Sequence, residues 1–280
     1  MNSISAHMAD DVLNLLKLER KPAAPDYLDE ILYAYTRTVP WESASRIVRR
    51  INLQNNYEAC PRFPTEFWEL ALAHGTGGTC FETNLALYSL LTALGFDGYL
   101  TINNMGANLG CHTAIVVQLN GDKWLFDAGY PLECIVPLHE SEKTMKRAKF
   151  LTYHAIPTEN NTYQILRSRH PIPYIFTLYD TPVEIETYKK ATANDYRPEG
   201  NFNSRIVINK IVDEKMVRFS TQPDEGMFEA FTADPNKGMA QRETFSVDEN
   251  LVSNLSTQFH MPTQLLENAL NSIQPADQAS

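Results

Sequence analysis

The sequence predicts an α+β protein with an N-terminal helical bundle, a central antiparallel β-barrel and a C-terminal α/β lid. Up to residue 97, apolar residues recur with the spacing of amphipathic and buried helices. From Gly98 the period changes to two, and turn residues separate short β-branched segments. Two more short strand patterns and two helical patterns follow residue 195. We therefore expect domains at residues 1–97, 98–194 and 195–280.

Composition excludes several classes of protein. The 280 residues carry a net charge of −10, which argues against nucleic acid as a partner. No apolar run is long enough to span a membrane, and the N-terminus lacks the basic segment of a secretory signal. The four cysteines form no CxxC pair and lack metal-ligand spacing, so we expect neither a disulfide framework nor a metal. These features predict a cytoplasmic location.

The N-terminal region contains several helical patterns. Helices are predicted at 9–19, at 27–37 with Asp26 as the N-cap, and at 64–73. The basic segment 42–50 is predicted to be a solvated face rather than a nucleic-acid patch.

The rest of the chain is predicted as follows. Segment 156–162 is a hairpin connection, 184–193 a helix, 195–203 an exposed linker and 274–280 a frayed tail. Strands are expected at 99–105, 112–119, 122–127, 134–136, 150–153, 163–167, 174–178, 205–208 and 216–220, and helices at 251–259 and 264–273.

The glycine-rich turn 75–78 leads into a cysteine at the start of a long apolar segment. Thr79 and Glu82 have the T-x-x-E spacing of a capping box, which places Cys80 in the first turn of a buried helix ending near Gly95. The positive end of the helix dipole favours a thiolate there. A buried structural cysteine is the usual alternative, but the exposed turn and the fixed helix start favour a nucleophile.

A catalytic cysteine needs a base and a group that orients the base. A β-branched strand begins at His112, and Asn120-Gly121 predicts a two-residue hairpin turn. In that register Asp127 points to the same face as His112, as a diagonal neighbour. A single histidine at a strand start is usually structural. An imidazole and a carboxylate on one face, downstream of an exposed cysteine, are a much rarer combination.

Three motifs carry a resemblance to a known family. They are G-G-x-C-F-E-x-N at 77–84, the strand that begins at His112, and W-L-x-D-x-G at 124–129. Together with V-P-W-E-S at 39–43, they resemble the arylamine N-acetyltransferase family. The resemblance implies a cysteine-peptidase-like Cys-His-Asp core. It also implies acetyl-coenzyme A as co-substrate and a small aromatic amine, hydrazine or hydrazide as acceptor.

The resemblance and the residues together give a set of candidate site residues. The catalytic triad is Cys80, His112 and Asp127, with acylation of Cys80 in a ping-pong reaction. Tyr130, Phe81 and Trp41 are candidates for the acceptor pocket, although core packing is the ordinary role of such aromatics. The candidates for coenzyme binding are Gly129 and two members of the basic cluster Arg205, Lys210, Lys215 and Arg218, namely Lys210 and Lys215.

The chain departs from the family pattern at two positions. Thr76 stands where the family usually has arginine, and Pro131 replaces a glycine, which removes a backbone N–H near the expected coenzyme site. An amide synthase, or a transglutaminase- or peptidase-like cysteine enzyme with another acyl donor, therefore stays open. A non-enzymatic protein that binds small aromatics is a third possibility, which an unreactive Cys80 would favour.

Overall fold

The computed structural model describes residues 3–168, 170, 172–213, 215–221, 227–232, 241–245 and 250–273. The tail predicted to fray, 274–280, lies outside the described residues. The helices are α1 (Ala6–Leu16), α2 (Pro25–Thr38), α3 (Ala44–Asn52), α4 (Pro64–His74), α5 (Cys80–Ala93), α6 (Ile185–Asp195), α7 (Leu251–Phe259) and α8 (Thr263–Ile273).

The strands form two antiparallel sheets. The larger has the order β5-β4-β3-β2-β9-β8-β7-β6, and the smaller has the order β1-β10-β11-β12-β13. The strands are β1 (Trp41–Glu42), β2 (Asp97–Met105), β3 (Asn108–Leu119), β4 (Asp122–Phe126), β5 (Val136–Leu138), β6 (Thr144–Arg147), β7 (Thr152–Thr158), β8 (Thr162–Ser168), β9 (Tyr174–Tyr179), β10 (Val207–Val212), β11 (Lys215–Ser220), β12 (Met227–Thr232) and β13 (Gln241–Phe245).

The larger sheet curls into a nearly closed barrel, since its two edge strands approach each other. The hydroxyl of Thr144 in β6 donates a hydrogen bond to the carbonyl of Pro137 in β5. This confirms the α+β class with a central antiparallel barrel. Buried side chains of α1, α2, α4, α5 and the barrel form one continuous core. A second core joins α3, α7 and α8 to β10 and β11. The division into three domains stays a prediction.

The hairpin β3–β4 has the register that the sequence predicts. Leu119 pairs with Asp122, and Asn120 and Gly121 form the two-residue turn with φ values of 55° and 90°. Both φ values are positive, as a tight turn that follows the twist of the strands requires. The turn therefore fixes which face each later residue of β4 occupies.

Several predicted boundaries and one cap were wrong. Asp26 does not cap α2, because Ala24 is the N-cap and Pro25 occupies the first turn. Strand β7 runs through the start of the segment predicted as a connection, and the turn lies at Asn160 and Asn161, which both have positive φ. Strand β6 was not predicted at all, since its four residues are too few for an alternating pattern to stand out.

Two segments predicted to be solvated lie against the core instead. In 42–50, Arg46 is completely buried, so this segment is not a solvated basic face. In 195–203, Tyr196 and Asn203 are buried, and only residues 197–199 are exposed. The two errors have one cause: the two segments contact each other. Charged side chains that are exposed in either segment alone become buried partners in the folded chain.

Candidate active site

Helix α5 begins at Cys80 with Thr79 as its N-cap, as predicted. The glycine-rich turn before α5 packs so closely against Pro40 that a Cβ atom at Gly77 would lie 1.7 Å from the Pro40 carbonyl oxygen. The predicted capping box does not form, because both side chains bind elsewhere. Thr79 Oγ1 accepts a hydrogen bond from Arg46 Nη1 at 2.9 Å, and Glu82 pairs with Arg62.

A layer of buried charges supports the start of α5. Arg46 donates to Asp195 Oδ2 at 2.6 Å and to Asn203 Oδ1 at 2.9 Å, and its guanidinium lies 4.1 Å from the ring centre of Tyr196. The hydroxyl of Tyr196 donates to Glu82 Oε1 at 2.6 Å. Sequence reasoning missed this layer because its members are far apart in the chain. Charged residues inside otherwise apolar segments were the one feature of the sequence that could have indicated these buried charges.

The pKa of Glu82 illustrates how the layer works. Burial alone raises the pKa of a carboxyl group, but the charge and hydrogen bonds of Arg62 outweigh burial. The pKa of Glu82 is therefore below its ordinary value, and a paired, ionised carboxylate sits in the core. Such a pair is costly to break, because a single partner would remain as an uncompensated buried charge.

His112 on β3 and Asp127 after β4 are both buried and joined by a hydrogen bond. Asp127 Oδ2 lies 2.7 Å from His112 Nε2. Asp127 Oδ1 accepts hydrogen bonds from the backbone N–H groups of Gly129 (2.8 Å) and Tyr130 (3.1 Å) and from Asn84 Nδ2 (3.0 Å). A carboxylate only accepts, so the proton of a neutral imidazole is on Nε2 and Nδ1 is the acceptor.

The Cys80 thiol opens into the same cavity as His112. Its Sγ atom lies 3.6 Å from the carbonyl oxygen of Cys111, and only 6% of the residue is exposed. Burial raises the pKa of the Cys80 thiol well above its ordinary value, and the charges of Asp195 and Asp127 raise it further. The helix dipole, which was expected from the sequence to favour the thiolate, would instead lower this pKa. A base is therefore needed to form the thiolate.

The loop after Asp127 packs tightly on the cysteine helix. A Cβ atom at Gly129 would lie 2.6 Å from Cys80 Cβ and 2.6 Å from Asn84 Nδ2, so no larger residue fits. Asn84 also accepts a hydrogen bond from the backbone of Ala128 at 3.2 Å. The asparagine one helical turn after Cys80 thus connects the nucleophile helix to the Asp127 loop. Sequence reasoning gave Asn84 no role beyond its place in a motif.

A cavity of about 580 Å³ lies in front of Cys80, between the barrel and the smaller sheet. Of the residues predicted to bind the acceptor or the coenzyme, Trp41, Gly129, Tyr130 and Lys210 line it. Phe81 does not, because it is 1% exposed and packs on Tyr188 with ring centres 5.6 Å apart. Its predicted place in the acceptor pocket was wrong. The cavity is also lined by Cys111, Pro131, Tyr153, Arg167, Ile172, Arg205 and Arg218, among others.

The basic cluster of the smaller sheet divides into two parts. Arg205, Lys210 and Arg218 line the cavity, whereas Lys215 is not among the lining residues. Burial lowers the pKa of Lys210 to about 8, and its Nζ donates to the carbonyl of Phe259 at 3.1 Å. Burial, together with the charge of Arg218, lowers the pKa of Arg205. The two arginines are therefore close enough for their charges to interact.

In the described part of the chain, no group of three or more His, Cys, Asp or Glu side chains is arranged to hold a metal ion. None of the helices described above is long and apolar enough to cross a membrane.

The chain is similar to a known protein family and to several solved structures. A family model described as N-acetyltransferase matches residues 26–265. The fold is similar to that of the arylamine N-acetyltransferase from Mycobacterium abscessus, with 16% identity, a TM-score of 0.76 and coverage of 95% of this chain and 94% of the other. No curated protein matches the chain.

Two further structures bear on the site. An arylamine N-acetyltransferase from Bacillus cereus is described as having a Cys-His-Glu triad; it has 21% identity, a TM-score of 0.68 and coverage of 89% and 96%. The Mycobacterium marinum arylamine N-acetyltransferase in complex with CoA has 13% identity, a TM-score of 0.75 and coverage of 95% and 99%.

The fold and the matched family define the class of this protein, which is an enzyme of the acyltransferase type. The family model covers most of the chain, and many arylamine N-acetyltransferase structures share its architecture. The chain belongs to the arylamine N-acetyltransferase family, as a divergent member.

Proposed function

We propose that this enzyme transfers an acetyl group from acetyl-coenzyme A to an arylamine, arylhydrazine or hydrazide through a thioester on Cys80. The observation that carries the proposal is the shared cavity. Cys80 and His112 both line it, and His112 is held from behind by Asp127. Nucleophile, base and orienting group are the parts that covalent acyl transfer requires.

The first half-reaction begins with a proton transfer. His112 Nδ1 takes the proton of the Cys80 thiol, and Asp127 stabilises the imidazolium. The thiolate attacks the thioester carbonyl of acetyl-coenzyme A, and the sulfur–carbon bond to the coenzyme breaks. The coenzyme thiolate leaves with the proton from the imidazolium. Cys80 is then acetylated and His112 is neutral again.

In the second half-reaction the acceptor replaces the coenzyme. Its amine attacks the Cys80 thioester, and His112 Nδ1 accepts the proton that the nitrogen loses. The bond between the acetyl carbon and Sγ breaks, and the imidazolium returns the proton to the thiolate. Burial raises the pKa of the Cys80 thiol, so the thiolate forms only together with the imidazolium that receives its proton.

Two observations support acetyl-coenzyme A as the donor. A family member has been solved in complex with CoA. In this chain Arg205, Lys210 and Arg218 line the cavity, and cationic side chains bind phosphate groups strongly. Lys210 therefore remains a proposed coenzyme-binding residue, and Arg205 and Arg218 are proposed for this role in place of Lys215. Gly129 remains a residue that lines the cavity beside Cys80.

Mass spectrometry of the intact protein after incubation with acetyl-coenzyme A tests this proposal. We expect one acetyl group, mapped to Cys80, which is lost when an aromatic amine is added. The Cys80→Ser variant should acquire no thioester. Cys111→Ala is the matched control, because Cys111 lines the same cavity and should be dispensable. Acetylation at Cys111, or acylation only by a different class of thioester, would contradict the proposal.

A further inference from the structure

The two neighbours of His112 on β3 both contact Cys80. The carbonyl oxygen of Cys111 lies 3.6 Å from Cys80 Sγ, and the hydroxyl of Thr113 donates to the carbonyl oxygen of Cys80 at 3.1 Å. Cys80 is therefore held at its thiol by the residue before His112 and at its backbone by the residue after it. This double contact fixes the position of the nucleophile relative to the base.

Only the backbone contact persists through the reaction. A thiol is a weak hydrogen-bond donor, and the contact with the Cys111 carbonyl loses its hydrogen when the thiolate or the thioester forms. The bond from Thr113 uses the carbonyl of Cys80, which is the same in all three states. The N-cap residue Thr79 gives no comparable support, because its side chain makes no capping hydrogen bond and accepts one from Arg46 Nη1.

Thr113 is itself held in place. Its hydroxyl lies 3.0 Å from the hydroxyl of Tyr188 on α6, and its carbonyl accepts a hydrogen bond from Asn84 Nδ2 at 2.6 Å. A carbonyl oxygen only accepts, so the Thr113 hydrogen points to Cys80 and Tyr188 supplies the hydrogen between the two hydroxyls. The Tyr188 hydroxyl also lies 2.8 Å from the carbonyl of Phe81. Thr113 and Tyr188 are both completely buried, which strengthens these bonds.

We propose that Thr113 is a positioning residue for acetyl transfer: its hydroxyl, held by Tyr188, keeps the Cys80 thiol in register with His112. Thr113 is not among the described residues that line the cavity, so it acts through Cys80 and not on a substrate. Without the hydroxyl the first turn of α5 can shift, and a displacement of about 1 Å can cost about a hundredfold in rate. The catalytic part of this inference rests on the proposed acetyl transfer.

Thr113→Val tests the inference, because valine keeps the shape of the side chain and removes the hydroxyl. In single-turnover acetylation of Cys80 by acetyl-coenzyme A, the maximal rate should fall at least about tenfold. The half-saturating donor concentration should change less than about twofold, since no contact to the donor is lost. Thr113→Ser restores the hydroxyl and should bring the maximal rate back to within about threefold of wild type.

Thr101→Val is the matched control. Thr101 is also completely buried, and its hydroxyl donates to another carbonyl of β3, that of Ala114, at 3.2 Å. The substitution removes a buried hydroxyl from the same sheet without removing a bond to Cys80, so the acetylation rate should stay within about twofold of wild type. Equal slowing in Thr101→Val and Thr113→Val, or no recovery in Thr113→Ser, would indicate a general loss of packing and overturn the inference.

The reaction of Cys80 with iodoacetamide gives a measurement that does not depend on acetyl transfer. With the thiol held beside the imidazole, proton transfer to His112 forms the reactive thiolate. In Thr113→Val the alkylation rate should therefore rise at higher pH than in wild type, whereas the profiles of Thr113→Ser and Thr101→Val should match wild type. Tyr188→Phe frees the Thr113 hydroxyl and should move the profile in the same direction by a smaller amount.

The inference and the proposed function can fail separately. If wild-type Cys80 takes no acetyl group, the proposed function fails, and the alkylation profiles still decide the role of Thr113. If wild-type Cys80 is acetylated but Thr113→Val has an unshifted alkylation profile, only the inference is wrong. Should Thr113→Val not fold, Tyr188→Phe decides alone, and an unshifted profile in that variant would overturn the inference.

Discussion

Asp127 Oδ2 lies 2.7 Å from His112 Nε2, while Asp127 Oδ1 is occupied by two backbone N–H groups and one asparagine amide. The carboxylate therefore has one free direction, toward the imidazole. This fixes the histidine tautomer and leaves Nδ1 as the atom that can take a proton. The fixed geometry makes Asp127 the most direct residue to test.

Replacing Asp127 by Asn should keep the fold and remove most of the activity. An amide can donate to Nε2 and so favours the wrong tautomer, in which Nδ1 carries the proton and cannot accept one. We expect kcat/KM to fall about 10³- to 10⁴-fold. Steady-state kinetics with a thermal unfolding control measures this. Turnover near the wild-type level would remove Asp127 from the mechanism.

Replacing Asp195 by Asn should make Cys80 ionise more readily. The charge of Asp195 raises the pKa of the Cys80 thiol, after burial, and the charge of Arg46 lowers it. Removing the carboxylate leaves the arginine unopposed, so the pKa should fall. The rate of iodoacetamide reaction at Cys80, followed from pH 6 to 10, should therefore rise at lower pH than in wild type.

Glu186→Gln provides the matched control for Asp195→Asn. Glu186 is on the same helix, α6, and pairs with Lys189, and its side chain is 72% exposed. The Glu186→Gln substitution also removes one negative charge from α6, but from its solvent-exposed side, where screening is strong. Its alkylation profile should match wild type. An unchanged profile in Asp195→Asn as well would show that the buried charge layer does not act on the nucleophile.

Replacing Glu133 by Gln should change how stability depends on pH. Burial raises the pKa of Glu133 from 4.5 to about 7, although hydrogen bonds from the Phe150 N–H and the Tyr153 hydroxyl act in the other direction. Between these two pH values the folded protein holds a proton that the unfolded chain has released. The stability of the wild type therefore falls as pH rises through this interval.

The glutamine side chain stays neutral and avoids this loss. From pH 5 to pH 8, the free energy of unfolding of Glu133→Gln should gain about 2 kcal/mol relative to wild type. Urea unfolding at both pH values measures the difference. A constant difference between the two proteins across this range would show that Glu133 is ionised in the fold already at pH 5.

Breaking the Arg62–Glu82 pair should destabilise the fold strongly. Both side chains are almost fully buried, so Arg62→Met leaves an unpaired carboxylate and should cost about 3–5 kcal/mol. The double variant Arg62→Met/Glu82→Leu should recover much of the lost stability, because no unpaired carboxylate remains. The control is Arg197→Met, which removes an exposed pair with Glu58 and should cost less than about 1 kcal/mol. Equal losses from the buried and exposed pairs would contradict the prediction.

The parts of the site that local chemistry controls were predicted from the sequence. Helix α5 starts at Cys80 because a glycine turn and a threonine precede an apolar segment. The two-residue turn at Asn120 and Gly121 sets the register of β3 and β4. In that register His112 and Asp127 lie on the same face, where their side chains form a hydrogen bond. Each of these features depends on residues near one another in the chain.

The errors came from residues whose partners are distant. Glu82 was assigned to a cap that its neighbours predict, but it binds Arg62 and Tyr196. Phe81 was predicted to line the acceptor pocket as one of three aromatic candidates, yet it packs on Tyr188 in the core.

The sequence by itself determined the α+β class, the nucleophile helix and the hairpin that pairs an imidazole with a carboxylate. Hydrophobic periodicity and turn residues depend on neighbours in the chain, so both can be recognised in the sequence. The tertiary structure decided which charges are buried, which direction the pKa of Cys80 moves, and which cations line the cavity. These properties depend on desolvation and on distances between side chains such as Arg46 and Asp195, 149 residues apart in the chain. Only folding brings such groups together and removes the water around them.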